Sequence, residues 1–547
     1  MAARRRRAST SPTPRLGVGE YLIHLLPRLR NDNAVPVWPP DIFGLCMALL
    51  LRSGAYCSVL VDWPPRDGKK RGSNSAAWAR KIEKIAQAWR QGWSVKKVPA
   101  EVRKAWSTMV SSWNVPVSDL CKELAACRSL LELCAMSDCA CAEVGLPHSG
   151  PMDNPDFYNF ADTCLYPTEL GSTLCQEIDR TRIRVLPKMR TPQNGLTVRS
   201  LSMHLALCPE CELKPKWFTA PSFPPEGLGL NLLVVPWPNE IYPSQFCKTE
   251  PLKSEMRNMP DEFGFFTFRH KEKPKDVLEI VRRAYEVGKS RLGRIDGVVL
   301  PESAVTPDTH DLLSQYVLQQ GAFLISGVGK SSIPPTKHGT NMVCLDIPGL
   351  ESLRQNKHHR WKLDAAQVEQ YGLGSRLHPE RGWWEHISLE DRQVMLVSMF
   401  PWLVMCPLVC EDLARPDPVG DIVRAVGPNL VIALLMDGPQ VKERWGARYA
   451  TALADDPGCS VLTMTSLGMS ALSRPCRGGR DRPRVVALWK DSQHGEPTEI
   501  ELPPGKDAVV LSLTVRYVEE YTADGRTDER SAGCPVLSGV YPLKSAS

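Results

Sequence analysis

The chain has no apolar run long enough to cross a bilayer. Its longest, Ile42 to Leu51 and Met399 to Cys410, fall far short of the roughly 20 residues a spanning helix needs, so no transmembrane helix is expected. The amino terminus also lacks the apolar core of a secretory signal; Met1 to Gly19 is rich in Arg and Ser, holds no acidic residue, and reads as a solvated basic tail. Without such a signal, the 18 cysteines are expected to be reduced thiols of a cytoplasmic protein. One Cys-x-x-Cys pair, Cys208 and Cys211, stands near His204, but no second pair exists to complete a tetrahedral zinc site. Neither a metal nor another cofactor is expected. Charge of one sign is scarce too: the formal net charge is +6, much of it in Arg4 to Arg7. A nucleic-acid partner needs a clustered basic face and not an excess at one terminus, so none is expected. There is no internal repeat and no long low-complexity segment.

What is present is a globular composition, 43% hydrophobic and 23% charged, on 547 residues, too many for one ordinary core. After the tail (1–19), residues 20–226 read as a mainly helical domain of unknown function. Trp38-Pro39-Pro40-Asp41 introduces an apolar helix over 42–51, with Asp41 placed to cap it. Trp78, Ile82, Ile85 and Trp89, then Val102, Trp106, Met109, Val110 and Trp113, recur at helical spacing, which marks packing stripes and not a stacking platform. A third stripe runs through Leu120, Leu124, Cys127, Leu131 and Cys134, with Ser118 or Asp119 placed as its cap. The Pro-rich passage Thr219 to Pro225 marks a boundary. From 227 to 520, apolar strand-like runs alternate with helical periodicity, the signature of a layered α/β domain. Residues 521–547 read as a loose polar tail.

Two of these strands end on chemistry. Leu403 to Val409 is a near-continuous apolar run that delivers Cys410 and then turns acidic at Glu411-Asp412, and Ile295 to Leu300 delivers Pro301-Glu302. Buried parallel strands read this way, and their carboxyl ends are where such sheets place reactive groups. Between them, Arg360-Trp361-Lys362-Leu363 sets an ammonium in an apolar context, sixty residues after Glu302 and forty-eight before Cys410. The ordered set strand-Pro-Glu, Trp-Lys-Leu, strand-Cys-Glu-Asp resembles the carbon-nitrogen hydrolase (nitrilase) superfamily over residues 228–516. Trp445 to Ala450 and Thr465 to Ser470 are similar to that family's later helix and turn segments.

The resemblance implies an αββα sandwich and a Glu-Lys-Cys triad made of Glu302, Lys362 and Cys410. Glu302 would act as general base, Cys410 as the nucleophile that forms a thioester, and Lys362 with the backbone amide of Glu411 as the oxyanion site. Glu369 would be the family's second glutamate. One position departs from the pattern: Glu411 stands where relatives carry an aromatic residue, and a carboxylate there repels a thiolate or an anionic substrate. The implied activity is hydrolysis of a small amide, carbamoyl compound or nitrile by a homodimer. The helical domain would restrict access or recruit a protein partner. An N-acyltransferase using the same thioester, and a nitrilase-like sensor or scaffold in a multi-protein bacterial system, are the competing readings.

Overall fold

A computed structural model describes residues 16–59, 74–148, 151–168, 171, 173–209, 213–220, 229–250, 252, 260–331, 337–473, 484–527 and 532–544. Most of the basic tail, the boundary passage 221–225 and Cys211 lie outside the described residues.

Two seven-stranded sheets form the centre. The first runs, in spatial order, Leu353–Asn356, Thr340–Asp346, Phe323–Lys330, Gly297–Val299, Gly229–Val234, Ala508–Val518 and Ala532–Leu543, with its three central strands parallel. The second runs Thr498–Glu501, Val485–Lys490, Ser460–Thr465, Leu430–Leu435, Leu403–Val409, Gln393–Phe400 and Lys214–Thr219, again with a parallel centre. Strand alternation explains why the sheets stack. In the first sheet Leu232, Val234, Val299, Phe323 and Ile325 join the core shared with the second sheet, whereas Leu233, Val298 and Leu324 join a separate core under the helices Pro274–Leu292 and Pro307–Gln319. The second sheet is covered in turn by the helix Trp445–Asp455. The order helix, sheet, sheet, helix is a mixed α/β sandwich. A smaller four-stranded sheet, Lys362–Leu363, Gly382–Glu385, Phe263–Phe268 and Phe246–Thr249, carries a third core with Trp361, Phe266 and Tyr371.

The amino-terminal helices gather on Leu124–Ala140, against which Pro39–Ser53, Asn74–Gly92 and Ala100–Val110 all pack. Trp78, Trp89 and Trp106 are core residues whose indole N–H groups donate to Asp524, Val37 O and Asn33 O. Asp41 does not cap its helix. The helix begins at Pro39, and the buried Asp41 carboxylate instead accepts the backbone amides of Gln176, Glu177 and Ile178; burial pushes its carboxyl up to about 7. The stripe through Leu120 is broken as well, because a 3-10 turn over Val117–Lys122 precedes Leu124–Ala140 and neither Ser118 nor Asp119 caps the helix.

These helices are not sealed off from the sandwich. Lys214–Thr219 is an edge strand of the second sheet, parallel to Gln393–Phe400, and the apolar core is continuous from the helices into that sheet. Buried ions bridge the same seam: Arg526 donates to Asp138 at 3.0 Å, and Arg190 to Glu520 at 2.6 Å. The carboxy-terminal segment expected to be loose is largely ordered, because Ala532–Leu543 pairs antiparallel with Ala508–Val518 along its whole length. Its prolines, Pro535 and Pro542, suit an edge position, where a missing N–H costs no ladder bond.

Candidate active site

The carboxyl ends of three parallel strands converge: Gly297–Val299 leads to Glu302, Leu403–Val409 to Cys410 and Leu430–Leu435 to Met436 and Asp437. Glu302 follows Gly297–Val299 and is 3% exposed. It is seated by Gly327, whose amide donates to Pro301 O at 3.1 Å. A Cβ at Gly327 would lie 2.2 Å from Pro301 O and 2.4 Å from the Cα of Glu302, so only glycine permits this approach. Glu302 Oε1 accepts from Asn341 Nδ2 at 2.8 Å and from Lys357 Nζ at 2.7 Å, and Oε2 accepts the backbone amide of Met436 at 2.6 Å. Burial raises the Glu302 carboxyl above the usual carboxylate range; Lys357 opposes that rise and Glu385 adds to it.

The ammonium in this cluster belongs to Lys357, not Lys362. Leu353, Gln355 and Lys357 alternate inward at the end of their strand, and Lys357 is 0% exposed. Its Nζ bridges Glu302 and Glu385, the latter at 2.8 Å. Burial pushes the Lys357 ammonium down, but Glu302, Glu385 and Cys410 together hold it well above its ordinary range. Lys362 sits between the buried Trp361 and Leu363, so alternation turns it outward, where its Nζ lies 5.3 Å from the rings of Phe263 and Trp384. The second glutamate in the cluster is likewise Glu385, from Gly382–Glu385, and not Glu369, which is exposed on the helix Ala365–Gln370. Asn341 joins the two carboxylates, donating to Glu385 Oε1 at 2.7 Å as well as to Glu302. The inward period of two through Leu353 and Gln355 was the available signal for Lys357; nothing in the sequence pairs Asn341 or Glu385 with Glu302.

Cys410 ends Leu403–Val409 in a left-handed conformation, φ +47, and opens the turn Cys410–Leu413. Few non-glycine residues adopt that backbone, and where they do it is often to present a functional side chain. Burial pushes the thiol well up, Glu302 and Glu411 push the same way, and Lys357 opposes them. The Glu411 carboxylate is engaged by Arg415, Oε2 to Nη2 2.7 Å, so its charge is largely balanced one helical turn away. Asp412, fully buried, accepts the His358 amide at 3.1 Å and pairs with His359 Nδ1 at 3.0 Å. That clamp ties the cysteine turn to the loop bearing Lys357. A last anchor is Asp437, which follows Leu430–Leu435 and accepts from Tyr371, Arg444 and Trp445, holding the segment whose Met436 amide reaches Glu302. Chemically, the arrangement joins a thiol, a carboxylate of raised proton affinity and a fixed ammonium, all three buried.

No family model matches the chain, and no curated protein matches it. Solved structures that resemble it include Saccharomyces cerevisiae Nit3, described as a member of branch 10 of the nitrilase superfamily, at 13% identity and TM-score 0.32 over 54% of this chain and 93% of that one. XC1258 from Xanthomonas campestris, described as a CN-hydrolase superfamily protein with an arsenic adduct in the active site, is 15% identical over 53% of this chain and 91% of its own, TM-score 0.31. A mutant amidase from Nesterenkonia sp. AN1, showing covalent addition of the acetamide moiety of fluoroacetamide at its active site cysteine, is 12% identical over 59% and 92%, TM-score 0.29. Likeness at this level carries no argument about function, which has to come from the site's own geometry.

Proposed function

We propose that the sandwich is a cysteine-dependent hydrolase of a non-peptide carbon-nitrogen bond, of nitrilase-superfamily type, acting on a small amide, carbamoyl compound or nitrile. The observation that carries this reading is the fully buried Lys357 ammonium bridging Glu302 and Glu385 beside the strand-end Cys410. A thiol pushed up by burial is a poor nucleophile on its own and needs a base, and a buried glutamate of raised proton affinity suits that task. For an amide, Cys410 Sγ attacks the carbonyl carbon as Glu302 takes the thiol proton. The oxyanion is met by Lys357 and the backbone amide of Glu411. Collapse breaks the C–N bond, Glu302 protonates the departing amine, and a thioester remains. Glu302 then takes a proton from water, whose hydroxide adds to the thioester carbon; expulsion of the thiolate and its reprotonation release the acid. Glu385 and Asn341 hold Lys357 and Glu302 in register throughout.

The test is mass spectrometry with peptide mapping after exposure to fluoroacetamide and to a panel of amides and nitriles. Selective modification of Cys410, lost in Glu302→Gln, is expected. Modification spread over the exposed thiols with Cys410 inert would overturn the proposal.

A further inference from the structure

Apart from Arg4 to Arg7, this protein carries a dense set of basic residues along two amino-terminal helices and the connection between them. Between Asn74 and Lys104 the chain carries eight basic residues and two acidic ones, an excess equal to the +6 of the whole chain. The fold decides where these charges point. In Asn74–Gly92 the apolar stripe Trp78, Ile82, Ile85 and Trp89 is buried, so Arg80, Lys81 and Lys84 face solvent. In Ala100–Val110, Val102, Ala105, Trp106 and Met109 are buried, and Arg103 and Lys104 are exposed. Both helices pack on Leu124–Ala140. The two basic ridges meet across that helix: Glu132, half-buried on it, lies within electrostatic reach of Lys81 from one ridge, Lys104 from the other, and Arg128 from its own helix. The Nε of Arg128 is buried with no hydrogen-bond partner. The exposed cations of both ridges form no ion pair with a described residue.

From this geometry we infer that the amino-terminal helices bind the phosphate backbone of a nucleic acid, with Arg80–Lys84 and Arg103–Lys104 as ridges on either side of Arg128. A protein partner needs a desolvated apolar or aromatic centre, and a membrane-surface helix needs an apolar face to insert. Among the described residues neither basic helix exposes a large apolar side chain, since both apolar stripes are spent on the core. Phosphate contact needs only cations and short polar groups, and Gln87, Ala88 and Gln91 supply a surface of that kind between them. Such binding carries no base readout and is independent of the chemistry at Cys410.

The test is fluorescence anisotropy with a labelled mixed-sequence DNA duplex on the full chain, from 50 to 200 mM salt. About five neutralised phosphates predict a slope of roughly −4.5 in log affinity against log salt, an affinity loss of about 500-fold across that range. Neutralising Lys81, Lys84 and Lys104 to Gln should bring the slope to about −2. A second variant, Arg80→Gln with Lys84→Gln and Arg103→Gln, should act the same way should the first fold poorly. The equal charge change at Lys275, Lys289 and Arg376 should leave binding near wild type. No binding at 50 mM salt, equal loss in the control variant, or competition by polyglutamate as strong as by unlabelled duplex would each overturn the inference.

Discussion

Replacing Lys357 by Met separates the two lysines that could serve this site. The substitution removes the ammonium that lies 2.7 Å from Glu302 and 2.8 Å from Glu385 and leaves two buried carboxylates joined only by the Asn341 amide. Removing one partner of a buried ionic cluster typically costs roughly 3–5 kcal/mol, because the remaining charge is uncompensated. The carboxylates respond by sharing a proton, which raises a folded-state pKa above its unfolded value. Stability lost in this way is recovered as pH falls, so the deficit measured by urea unfolding should be larger at pH 8 than at pH 5. Lys357 also lowers the proton affinity of Cys410, so alkylation of that thiol by iodoacetamide should slow at least about 10-fold in the variant, which at ~1.4 kcal/mol per decade is a modest demand on one lost charge. Lys362→Met removes only an exposed cation from the rings of Phe263 and Trp384, worth about 0.5–1 kcal/mol, and should leave Cys410 alkylation unchanged. A Lys357→Met protein as stable and as reactive as wild type, beside a crippled Lys362→Met, would refute this assignment of the ammonium.

Once a substrate is in hand, Glu302→Gln should lower turnover by about 10²–10⁴-fold and Cys410→Ala at least as much. The double variant should be little worse than Cys410→Ala alone; losses that multiply would show that the residues do not act as one unit. Gly327→Ala should destabilise by roughly 1–3 kcal/mol and slow Cys410 modification, since its methyl group meets backbone atoms of residues 301–303 that must shift and carry Glu302 with them; unchanged reactivity in a folded variant would count against that seating. Asp41, pushed up to about 7 by burial, makes the folded state favour the protonated form. Its contribution to stability should therefore grow as pH falls from about 7 to 4, by up to about 4 kcal/mol relative to Asp41→Asn, and a flat difference in unfolding free energy across that range would contradict it.

The sequence determined the elements and two members of the site by local physics. Apolar alternation and length marked the strands of the sandwich, helical periodicity marked Pro274–Leu292 and Pro307–Gln319, and the strand-end positions of Glu302 and Cys410 followed from the runs that deliver them. Family resemblance, unlike local alternation, points to Lys362 and Glu369, both of which the fold turns to solvent. Tertiary structure decided the rest, because the deciding contacts join distant segments. Glu385 meets Glu302 and Lys357 only when the small four-stranded sheet closes against the first large one, and within that large sheet Lys357 and Asn341 reach Glu302 from the strands beyond Phe323–Lys330. Ala532–Leu543 looks loose because prolines and glycines weaken its local preference, yet an open edge along Ala508–Val518 orders it. The basic face arises the same way: the net charge was visible, but clustering depends on which helix faces the core consumes.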